Sequence, residues 1–312
     1  MSSVSIIIPV FNERENIQVL YDSLNSILKN NDEILFIDDG SNDGTFEIIS
    51  LLSLSDKRIK CISFSRNFGH QNALMAGMCN ATGEYIVTMD GDLQHPPAII
   101  PDMIAKLNEG YDLIITKRNK TENIGFLKKI FSSIFYSFIN TISDTRIEPN
   151  VSDFRAFNKK VLNSILLFKE KEIFLRGIFS WIGFKSYTIH FNAPKRQFGK
   201  TKYSFLKMMR LALKGITAFG FKPLRVAVLI GSLISLASFF FGIFALVSYF
   251  KGNTVPGWAS TIIAIMFLGG TQLLALGLMG EYIASLFIET KKRPLYLIKE
   301  QINIENDLQT KD

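Results

Sequence analysis

The sequence predicts an α/β protein in which a mostly parallel sheet is followed by a C-terminal pair of apolar helices. Two observations lead to this fold class. Over residues 1–120, short β-rich runs alternate with helical stretches, which is the pattern of a parallel sheet covered by helices on both faces. After residue 222, two long apolar runs follow each other closely. A chain of 312 residues has room for one large domain and such an appendage.

Strands and helices alternate regularly in the first part of the chain. The strands are expected at Ser5–Pro9, Glu33–Asp38, Ile59–Ser65, Tyr85–Asp90 and Leu113–Thr116. The helices are expected at Glu15–Lys29, Thr45–Ser53, Gln71–Ala81 and Pro97–Glu109. A polar cluster follows each strand, and parallel sheets bind their ligands beyond the carboxyl ends of the strands. The clusters are Asn12 and Glu13, Asp38 and Asp39, Arg66 and Asn67, Asp90 and Asp92, and Lys117 and Arg118.

Residues 121–145 differ from the preceding stretches because they are both aromatic and basic. Two interpretations stay open for them. The segment is an ordinary helix docked on the sheet, or it is a membrane-surface helix with its lysines among the lipid headgroups and its phenylalanines below them.

The two apolar runs, Val226–Phe250 and Trp258–Gly280, contain no charged residue, and each is long enough to cross about 30 Å of hydrocarbon. Since only a short link separates them, we expect a transmembrane hairpin. Lysines and arginines flank the hairpin on both sides, whereas the link contains a single lysine. By the positive-inside rule, the sheet domain and both termini are then cytoplasmic, in a multi-pass protein of the cytoplasmic (inner) membrane.

The chain therefore divides into four parts. Residues 1–202 form the sheet domain, 203–223 a juxtamembrane amphipathic helix, 224–288 the two transmembrane helices, and 289–312 a cytoplasmic tail. The juxtamembrane helix carries Lys207, Arg210 and Lys214 on one face, which suits anionic headgroups. The tail is polar from Glu300 onward, so we expect it to be disordered.

The composition restricts the kinds of partner. Hydrophobic residues make up 47% of the chain, and the net charge is +7. A basic chain binds nucleic acid, anionic lipid or phosphorylated substrates, and beside long apolar runs we favour lipid and phosphate over nucleic acid. Cys61 and Cys79 predict neither a metal site nor a disulfide framework. The N-terminus has no basic start and only a short strand-like apolar run, so we expect no signal peptide.

The segment Asp90-Gly91-Asp92-Leu93-Gln94 is the strongest chemical signal in the sequence, and it follows an apolar strand. Two carboxylates one residue apart can hold Mg²⁺ or Mn²⁺, which would neutralise a diphosphate leaving group. The alternative is an Asx-type turn that closes the strand. Its position at a strand end, among other polar motifs, favours the metal site.

Three further motifs lie at the same predicted edge of the sheet. They are Pro9-Val10-Phe11-Asn12-Glu13, Asp38-Asp39-Gly40-Ser41-Asn42-Asp43-Gly44-Thr45 and Ser65-Arg66-Asn67-Phe68-Gly69-His70-Gln71. In the second motif, the glycines permit tight turns and Thr45 can begin a helix. This motif is either a helix-capping loop or a carboxylate site for the base or ribose of a nucleotide.

Together these motifs resemble glycosyltransferase family 2, and within it the polyisoprenyl-phosphate glycosyltransferases, which include dolichol-phosphate mannose synthases. The closer resemblance rests on Ser65-Arg66-Asn67-Phe68-Gly69, Asp92-Leu93-Gln94, Asp153-Phe154-Arg155 and Phe198-Gly199-Lys200-Thr201-Lys202-Tyr203-Ser204. The hairpin ending in Gly277-Leu278-Met279-Gly280-Glu281-Tyr282-Ile283 is similar to that of bactoprenol glucosyltransferases. The resemblance reaches to about Lys299 and implies a GT-A-like nucleotide-sugar-binding domain.

The resemblance also implies roles for individual residues. Nucleotide-sugar contacts are implied for Pro9, Phe11, Glu13, Asp90, and Asp39 or Asp38. Asp90 and Asp92 would serve the metal, with Gln94 as a further ligand. His95 departs from similar sequences, which often have Asp, Asn or Glu there, and we expect a loop residue. His70 and His190 have no clear partners in the sequence and receive no role.

Cationic side chains are candidates for binding phosphates, since a guanidinium fork suits diphosphate and phosphate oxygens. On the donor side the candidates are Arg118, Arg155 and Lys202; for the acceptor phosphate they are Arg155 and Arg196. Each of these residues has an alternative interpretation as a surface charge, most often in a helix-surface ion pair.

Asp153 is the candidate catalytic carboxylate. We place it between an irregular stretch and a helix, where an aspartate can also serve as an N-cap. The two roles are compatible. Because a phosphate acceptor is already largely ionised at neutral pH, Asp153 would orient the acceptor rather than remove a proton from it.

The activity implied by the resemblance is transfer of a hexose from a nucleotide diphosphate sugar to a polyisoprenyl phosphate such as undecaprenyl phosphate, with inversion at the anomeric carbon. The product would be a lipid-linked sugar for cell-surface glycan modification, and glucose from UDP-glucose is the first choice. A processive polysaccharide synthase is one alternative, although it usually needs more spans. A non-enzymatic membrane scaffold is another, although it would lose the metal carboxylates. Gly269, Gly270, Gly277 and Gly280 allow close helix approach, so we expect a homo-oligomer.

Overall fold

The computed structural model describes residues 3–119, 151–171, 173–192, 194, 222–251 and 257–304. The first elements are β1 (Val4–Val10), α1 (Arg14–Asn25), β2 (Glu33–Asp38), α2 (Thr45–Ser55), β3 (Ile59–Phe64), α3 (His70–Asn80), β4 (Tyr85–Thr88), α4 (Ile100–Asn108) and β5 (Leu113–Arg118). The later elements are β6 (Val151–Asn158), α5 (Lys159–Ile165), α6 (Leu175–Trp181), β7 (Ser186–Phe191), α7 (Lys222–Phe250), α8 (Trp258–Thr290) and β8 (Ile298–Ile302). A short 3₁₀ turn at Pro97–Ile99 leads into α4.

The chain divides into two compact units. The first comprises Met1–Ser132, Ile147–Ser204 and Arg293–Asp312, and the second comprises Ser133–Arg146 and Phe205–Lys292. The first unit therefore contains the sheet, and the second contains α7 and α8.

The described strands form one sheet in the order β7-β5-β6-β4-β1-β2-β3-β8. The pairs β1–β2, β1–β4, β2–β3 and β5–β7 are parallel. Strand β6 is antiparallel to both β4 and β5, and β8 is antiparallel to β3. The predicted α/β class with a mostly parallel sheet is thus confirmed. The six strands that share one direction bring their carboxyl ends to a single edge.

The centre of the sheet is covered on both faces. Every residue of β1 and β2 is buried. On one face, Ile6 and Ile8 join the apolar core that includes Leu20 of α1. On the other face, α3 lies so close to β1 that a Cβ on Gly77 would collide with Ile7. Each buried aliphatic side chain contributes about 1.5–3 kcal/mol to folding, so these strands form a firm support for the edge.

Strand β6 runs against its neighbours and corrects the expected surroundings of Asp153. Asp153 lies within this strand, not between an irregular stretch and a helix. The N-cap of α5 is instead Asn158, whose side chain accepts a hydrogen bond from Val161 N at 3.1 Å. Because β6 is antiparallel, its first residues lie where β4 ends. The strand therefore brings Asp153 to the carboxyl edge of the sheet.

Strand β8 closes the other side of the sheet, beside β3. Cys61 pairs with Ile302 in the ladder, and Asn303 Nδ2 donates to Ile59 O at 2.9 Å. Just before the strand, Tyr296 stacks on Phe64 with ring centroids 4.8 Å apart. The prediction of disorder from Glu300 onward is wrong for Glu300–Ile302, because backbone pairing with β3 orders a sequence that is polar by composition.

The second unit contains two helices, α7 and α8, of 29 and 33 residues. Each has a stretch, Ala227–Phe244 and Ala264–Thr290, that is long and apolar enough to cross a membrane by length and composition. The predicted spans lie within these helices, and α8 continues past Gly280 to Thr290. The predicted surface helix at 121–145 and the juxtamembrane segment 203–221 lie outside the described residues.

Candidate active site

Asp90 occupies the centre of the carboxyl edge, two residues after β4. Its backbone N–H donates to His95 Nδ1 at 2.9 Å, and its carboxylate Oδ1 lies 2.8 Å from His70 Nε2. Burial acts to raise the pKa of Asp90, but the electrostatic interaction with His95, the hydrogen bond and charge of His70 and the charge of Arg118 outweigh it, and the pKa lies well below its usual range. Asp90 is therefore an ionised carboxylate with a histidine beside it.

The turn after Asp90 has a constrained backbone. Gly91 packs so closely that a Cβ there would come within 2.8 Å of a Val10 side-chain carbon. Leu93 has a φ of 62°, in the left-handed region that side chains other than glycine rarely adopt. Gln94 N donates to Asp92 Oδ1 at 3.2 Å, which is the bond of an Asx turn. The turn interpretation thus applies to Asp92 and is compatible with a binding role, because strained turns often form binding sites.

His95 holds this turn through a hydrogen bond from the backbone of Asp90. It is the loop residue that the sequence predicts, but its side chain is completely buried. Its Nδ1 accepts from Asp90 N, its Nε2 lies 2.6 Å from Ser152 Oγ, and its ring stacks on Phe154 with centroids 5.1 Å apart. Since Nδ1 is an acceptor, neutral His95 carries its proton on Nε2 and donates it to Ser152. This histidine joins the Asp90 turn to the start of β6.

Asp153 lies on β6 next to the end of β4. Thr88 Oγ1 donates to the Asp153 carbonyl oxygen at 2.6 Å, which fixes the backbone. The Asp153 carboxylate accepts from Arg176 Nε at 2.9 Å and from Arg176 Nη2 at 2.8 Å. Burial acts to raise the pKa of Asp153, but the hydrogen bonds and charge of Arg176 outweigh it, so the pKa is lowered. The candidate catalytic group is an ionised carboxylate held by a guanidinium.

Arg155 points away from solvent on the same strand. It is only 3% exposed, its guanidinium carbon lies 4.3 Å from the centre of the Phe179 ring, and its Nε donates to Ser152 O at 3.2 Å. Burial lowers the pKa of Arg155 to about 10. A contact with a phosphate would need this guanidinium to leave its buried position, so the predicted role of Arg155 stays a prediction.

Asp38 and Asp39 organise the loops beside β2. Asp38 accepts from Ser41 N at 3.0 Å and from Ser63 Oγ at 2.8 Å. Asp39 accepts from Phe68 N at 2.6 Å and from Gly69 N at 2.9 Å. Both side chains are nearly inaccessible to solvent. Their predicted nucleotide contacts stay predictions, and in this structure the two carboxylates hold the surrounding loops.

Gly40, the next residue, has a conformational requirement of its own. Its φ is 75°, and a Cβ there would lie 2.5 Å from the carbonyl carbon of Arg66. The glycine therefore lets the loop after β2 approach the loop after β3.

The remaining candidate residues lie at the end of β1, at the end of β5 or outside the described residues. Phe11 and Glu13 are half-buried after β1, and Pro9 lies within it. Glu13 N donates to Thr45 Oγ1 at 3.0 Å, which connects this loop to the start of α2. Arg118 Nη1 donates to Gln94 Oε1 at 3.0 Å at the end of β5. Arg196 and Lys202 lie outside the described residues.

A cleft of about 660 Å³ opens beside the loop after β2. Asp38, Gly40 and Ser41 line it on one side, and Lys299 and Glu300 of β8 line it on the other. The Asp90 turn and Asp153 are not part of its lining. The loop predicted to bind the nucleotide thus borders open space, and the C-terminal strand contributes to the wall.

The carboxylates of Asp90 and Asp92 suit a divalent cation that enters the site together with a substrate. Among the described residues, no group of three or more His, Cys, Asp and Glu side chains is arranged to hold a metal by itself. Mg²⁺ is usually bound by one or two carboxylates together with substrate phosphates and waters. Asp90 and Asp92, two carboxylates one residue apart just after β4, would supply the protein's share of such a site, and their metal role stays a prediction.

The structure places Asp90, His95 and Asp153 around one edge, together with two residues that the sequence did not identify. His70 contacts Asp90, and Arg176 holds Asp153. A signal for His70 exists in its place at the start of α3, directly after the Ser65–Gly69 motif. Arg176 has no such signal, because it lies 23 residues from Asp153 on a separate helix. An open, mostly parallel sheet with charged groups at its carboxyl edge is the architecture of α/β proteins that bind their ligands at that edge.

Comparison with known proteins identifies the family to which this α/β protein belongs. Residues 5–166 match the family described as Glycosyl transferase family 2. The chain belongs to glycosyl transferase family 2, and its sheet has the GT-A-like fold. It is 41% identical over 306 residues to the uncharacterized glycosyltransferase YkcC of Bacillus subtilis (strain 168), covering 97% of this chain and 95% of that protein.

Two further relatives have more informative names. A prophage bactoprenol glucosyl transferase homolog of Escherichia coli (strain K12) is 41% identical over 300 residues, covering 95% of this chain and 98% of the relative. The bactoprenol glucosyl transferase of Shigella phage SfX is 40% identical over 302 residues, covering 96% of this chain and 99% of the relative. The similarity therefore includes the apolar C-terminal helices as well as the sheet.

Proposed function

We propose that the protein transfers a hexose from a nucleotide diphosphate sugar to a polyisoprenyl phosphate, with undecaprenyl phosphate as the acceptor and UDP-glucose as the favoured donor. The observation that carries the proposal is the meeting of β4 and β6 at the carboxyl edge. There the Asp90–Asp92 turn and the carboxylate of Asp153 come from neighbouring strands. A leaving diphosphate and an attacking phosphate need separate groups of this kind on one site.

The acidic turn would receive the donor. Asp90 and Asp92 would hold Mg²⁺ or Mn²⁺, with Gln94 beside them, and such an ion supplies charge neutralisation for the departing diphosphate. The nucleoside would be bound by residues at the end of β1 and in the loop after β2. These residues are Pro9, Phe11, Glu13, Asp38 and Asp39. Arg118, which donates to Gln94 Oε1 at 3.0 Å, would contact diphosphate oxygens. These groups would orient the anomeric carbon toward the Asp153 side of the edge.

Asp153 would act on the acceptor side. An acceptor phosphate is already ionised, so the chemistry requires orientation more than proton removal. Asp153 would accept a hydrogen bond from a phosphate that still carries one proton, and so position it for attack on the face opposite the leaving group, which inverts the anomeric carbon. Confinement of lipid and donor on one protein raises their effective concentration. Arg196 and Lys202 remain proposed phosphate contacts, in a segment outside the described residues.

The lipid acceptor is supported by two independent features. Relatives that match nearly the full length of the chain carry the name bactoprenol glucosyl transferase. In addition, α7 and α8 are long and apolar enough to cross a membrane. A site attached to such helices is suited to an acceptor that is itself anchored in lipid. Gly269, Gly270, Gly277 and Gly280 of α8 would let a helix of a second copy approach closely, which supports the proposal of a homo-oligomer.

A transfer assay tests the proposed function. Purified full-length protein with Mg²⁺, labelled UDP-glucose and short-chain polyprenyl phosphate should yield a lipid-soluble product containing one sugar. The unphosphorylated polyprenol is the matched control and should give no product, because the nucleophile is missing. Other UDP-hexoses in parallel reactions identify the sugar. Absence of product with every donor would contradict the proposal, and a product with many sugars would favour a processive synthase.

The connection of the hairpin to the sheet predicts its membrane topology. The chain leaves the sheet unit before α7 and returns to it in β8, which supports a hairpin whose two ends lie on the same side of the membrane. We expect a reporter fused after Asp312 to be cytoplasmic and one inserted near Asn253 to be outside. The fusion is placed after Asp312 to leave β8 intact. A cytoplasmic reporter near Asn253 would exclude the hairpin.

A further inference from the structure

Helix α6 contacts both charged residues of β6. Its Arg176 makes the two hydrogen bonds to the Asp153 carboxylate, at 2.9 and 2.8 Å. One turn later, Phe179 lies under the guanidinium of Arg155 at 4.3 Å. The helix thus holds Asp153 by charge and Arg155 by its aromatic ring, and these contacts fix the orientation of α6 relative to the strand.

The start of α6 is also attached to the helix that carries His70. Leu175 N donates to Gln71 Oε1 at 3.0 Å. His70, which precedes Gln71 in α3, has its Nε2 2.8 Å from Asp90 Oδ1. Neighbouring residues of α6 therefore contact the two sides of the site. Leu175 contacts the helix that reaches the acidic turn, and Arg176 contacts the carboxylate on β6.

We propose that Arg176 is a positioning residue that holds the Asp153 carboxylate in one orientation for sugar transfer. The proposal deepens the proposed function and rests on it. Arg176 acts through Asp153 and is assigned no contact with donor or acceptor. Its function is to restrict both the place and the rotation of a carboxylate that would otherwise turn about its Cβ–Cγ bond.

Two hydrogen bonds from one planar group give this restriction its physical basis. A guanidinium presents Nε and Nη2 in a rigid fork, so both carboxylate oxygens are fixed together. A lysine ammonium is a point charge on a flexible stem and cannot fix both oxygens in the same way. The Asp153 side chain is 12% exposed and that of Arg176 is 38% exposed. The carboxylate therefore has few alternative partners in water, while the partly exposed arginine contributes little to stability by charge alone.

Kinetics of Arg176→Ala and Arg176→Lys test the proposal. In the full-length enzyme with saturating polyprenyl phosphate, Arg176→Ala should lower kcat by about 10²-fold, the scale of a small misplacement in an active site. The KM for UDP-glucose should change by less than about threefold, since the donor site is unaltered. Arg176→Lys should recover part of kcat, because it restores the charge but not the fork.

Arg58→Ala is the matched control, because Arg58 makes a similar two-pronged pair away from the site. Its Nε and Nη2 donate to the Asp56 carboxylate at 3.0 and 2.6 Å, before the start of β3. Loss of that pair should leave kcat within about twofold of wild type, as expected for a contact remote from the chemistry. Thermal melting of both alanine variants separates a loss of fold from a loss of rate.

A double-mutant cycle with Asp153→Asn provides the readout that a purely structural role would not give. If Arg176 acts through Asp153, adding Arg176→Ala to Asp153→Asn should lower single-turnover rates by less than about threefold further. Additive losses, or wild-type kcat in Arg176→Ala, would overturn the positioning role. These outcomes differ from failure of the proposed function, in which the wild-type enzyme itself transfers no sugar to polyprenyl phosphate.

Discussion

Asp153→Asn should lower kcat by at least about 10²-fold, the scale of a small misplacement of reacting groups in an active site, because Asp153 would orient the acceptor phosphate. The substitution keeps the size of the side chain but removes the negative charge on the acceptor side of the site. Because the donor contacts lie on other strands, the KM for UDP-glucose should stay within about threefold. Steady-state kinetics with saturating donor and lipid phosphate measure the effect.

The same substitution has a stability cost that follows from its place in β6. Asp153 lies in a strand and does not cap a helix. Asparagine can replace aspartate at a helix cap, but it does not preserve the structural role that Asp153 has here. The amide still accepts one bond from Arg176, but its Nδ2 faces a second donor, and we expect a loss of about 1–3 kcal/mol. Melting curves will show whether the variant is folded at the assay temperature. Near wild-type kcat in a folded Asp153→Asn enzyme would limit Asp153 to holding Arg176 and its helix.

Removal of the divalent cation should abolish transfer, and Asp92→Asn should approach the same result. Loss of a metal's charge at a departing diphosphate costs several kcal/mol, so we expect at least about a 10³-fold lower rate. Chelation should be reversed by adding Mg²⁺ or Mn²⁺ to the wild-type enzyme. Titration of activity against each cation also identifies the preferred one.

A second aspartate serves as the control for Asp92→Asn. Asp102 is exposed in the first turn of α4 and is not among the candidate site residues. Asp102→Asn removes the same charge from the protein, and its activity should remain within about twofold of wild type, as surface substitutions usually do. Full turnover of the wild-type enzyme in excess chelator would exclude the metal role of Asp90 and Asp92.

The sequence predicted the centre of the sheet because burial imposes a simple pattern there. Strands β1 and β2 are covered on both faces, so they appear as continuous apolar runs bounded by polar clusters. The parallel direction of β1 to β4 also follows from the alternation of strand and helix. For these elements, local sequence and tertiary packing favour the same structure.

Strands β6 and β8 were missed for a different reason. In β6, Asp153 and Arg155 alternate with Phe154 and Ala156, and this period-two pattern was available in the sequence. The same charged residues also suit a binding site, so the alternation by itself does not indicate a strand. In β8 the sequence Ile-Lys-Glu-Gln-Ile has little burial of its own, and the strand forms because β3 provides a backbone edge.

The site was predicted where adjacent residues form a motif and missed where tertiary structure joins distant ones. Asp90 and Asp92 are neighbours in sequence, so their shared chemistry is visible there. The contact between Asp153 and Arg176 depends on how α6 packs against β6, which a spacing of 23 residues does not reveal. The complete burial of His95 likewise depends on Phe154 and Ser152 from another strand.

The return of the chain into the sheet has a consequence for biosynthesis. A ribosome makes β3 about 240 residues before the strand that pairs with its outer edge, as measured by the separation of 244 residues between Ile59 and Asn303. Both apolar helices are synthesised in between, so the nascent sheet keeps an open edge until they have been made. An open edge is a template for pairing with other chains. Polypeptides that terminate before Ile298 would retain this edge and should self-associate, which makes completion of the sheet dependent on synthesis of the two apolar helices.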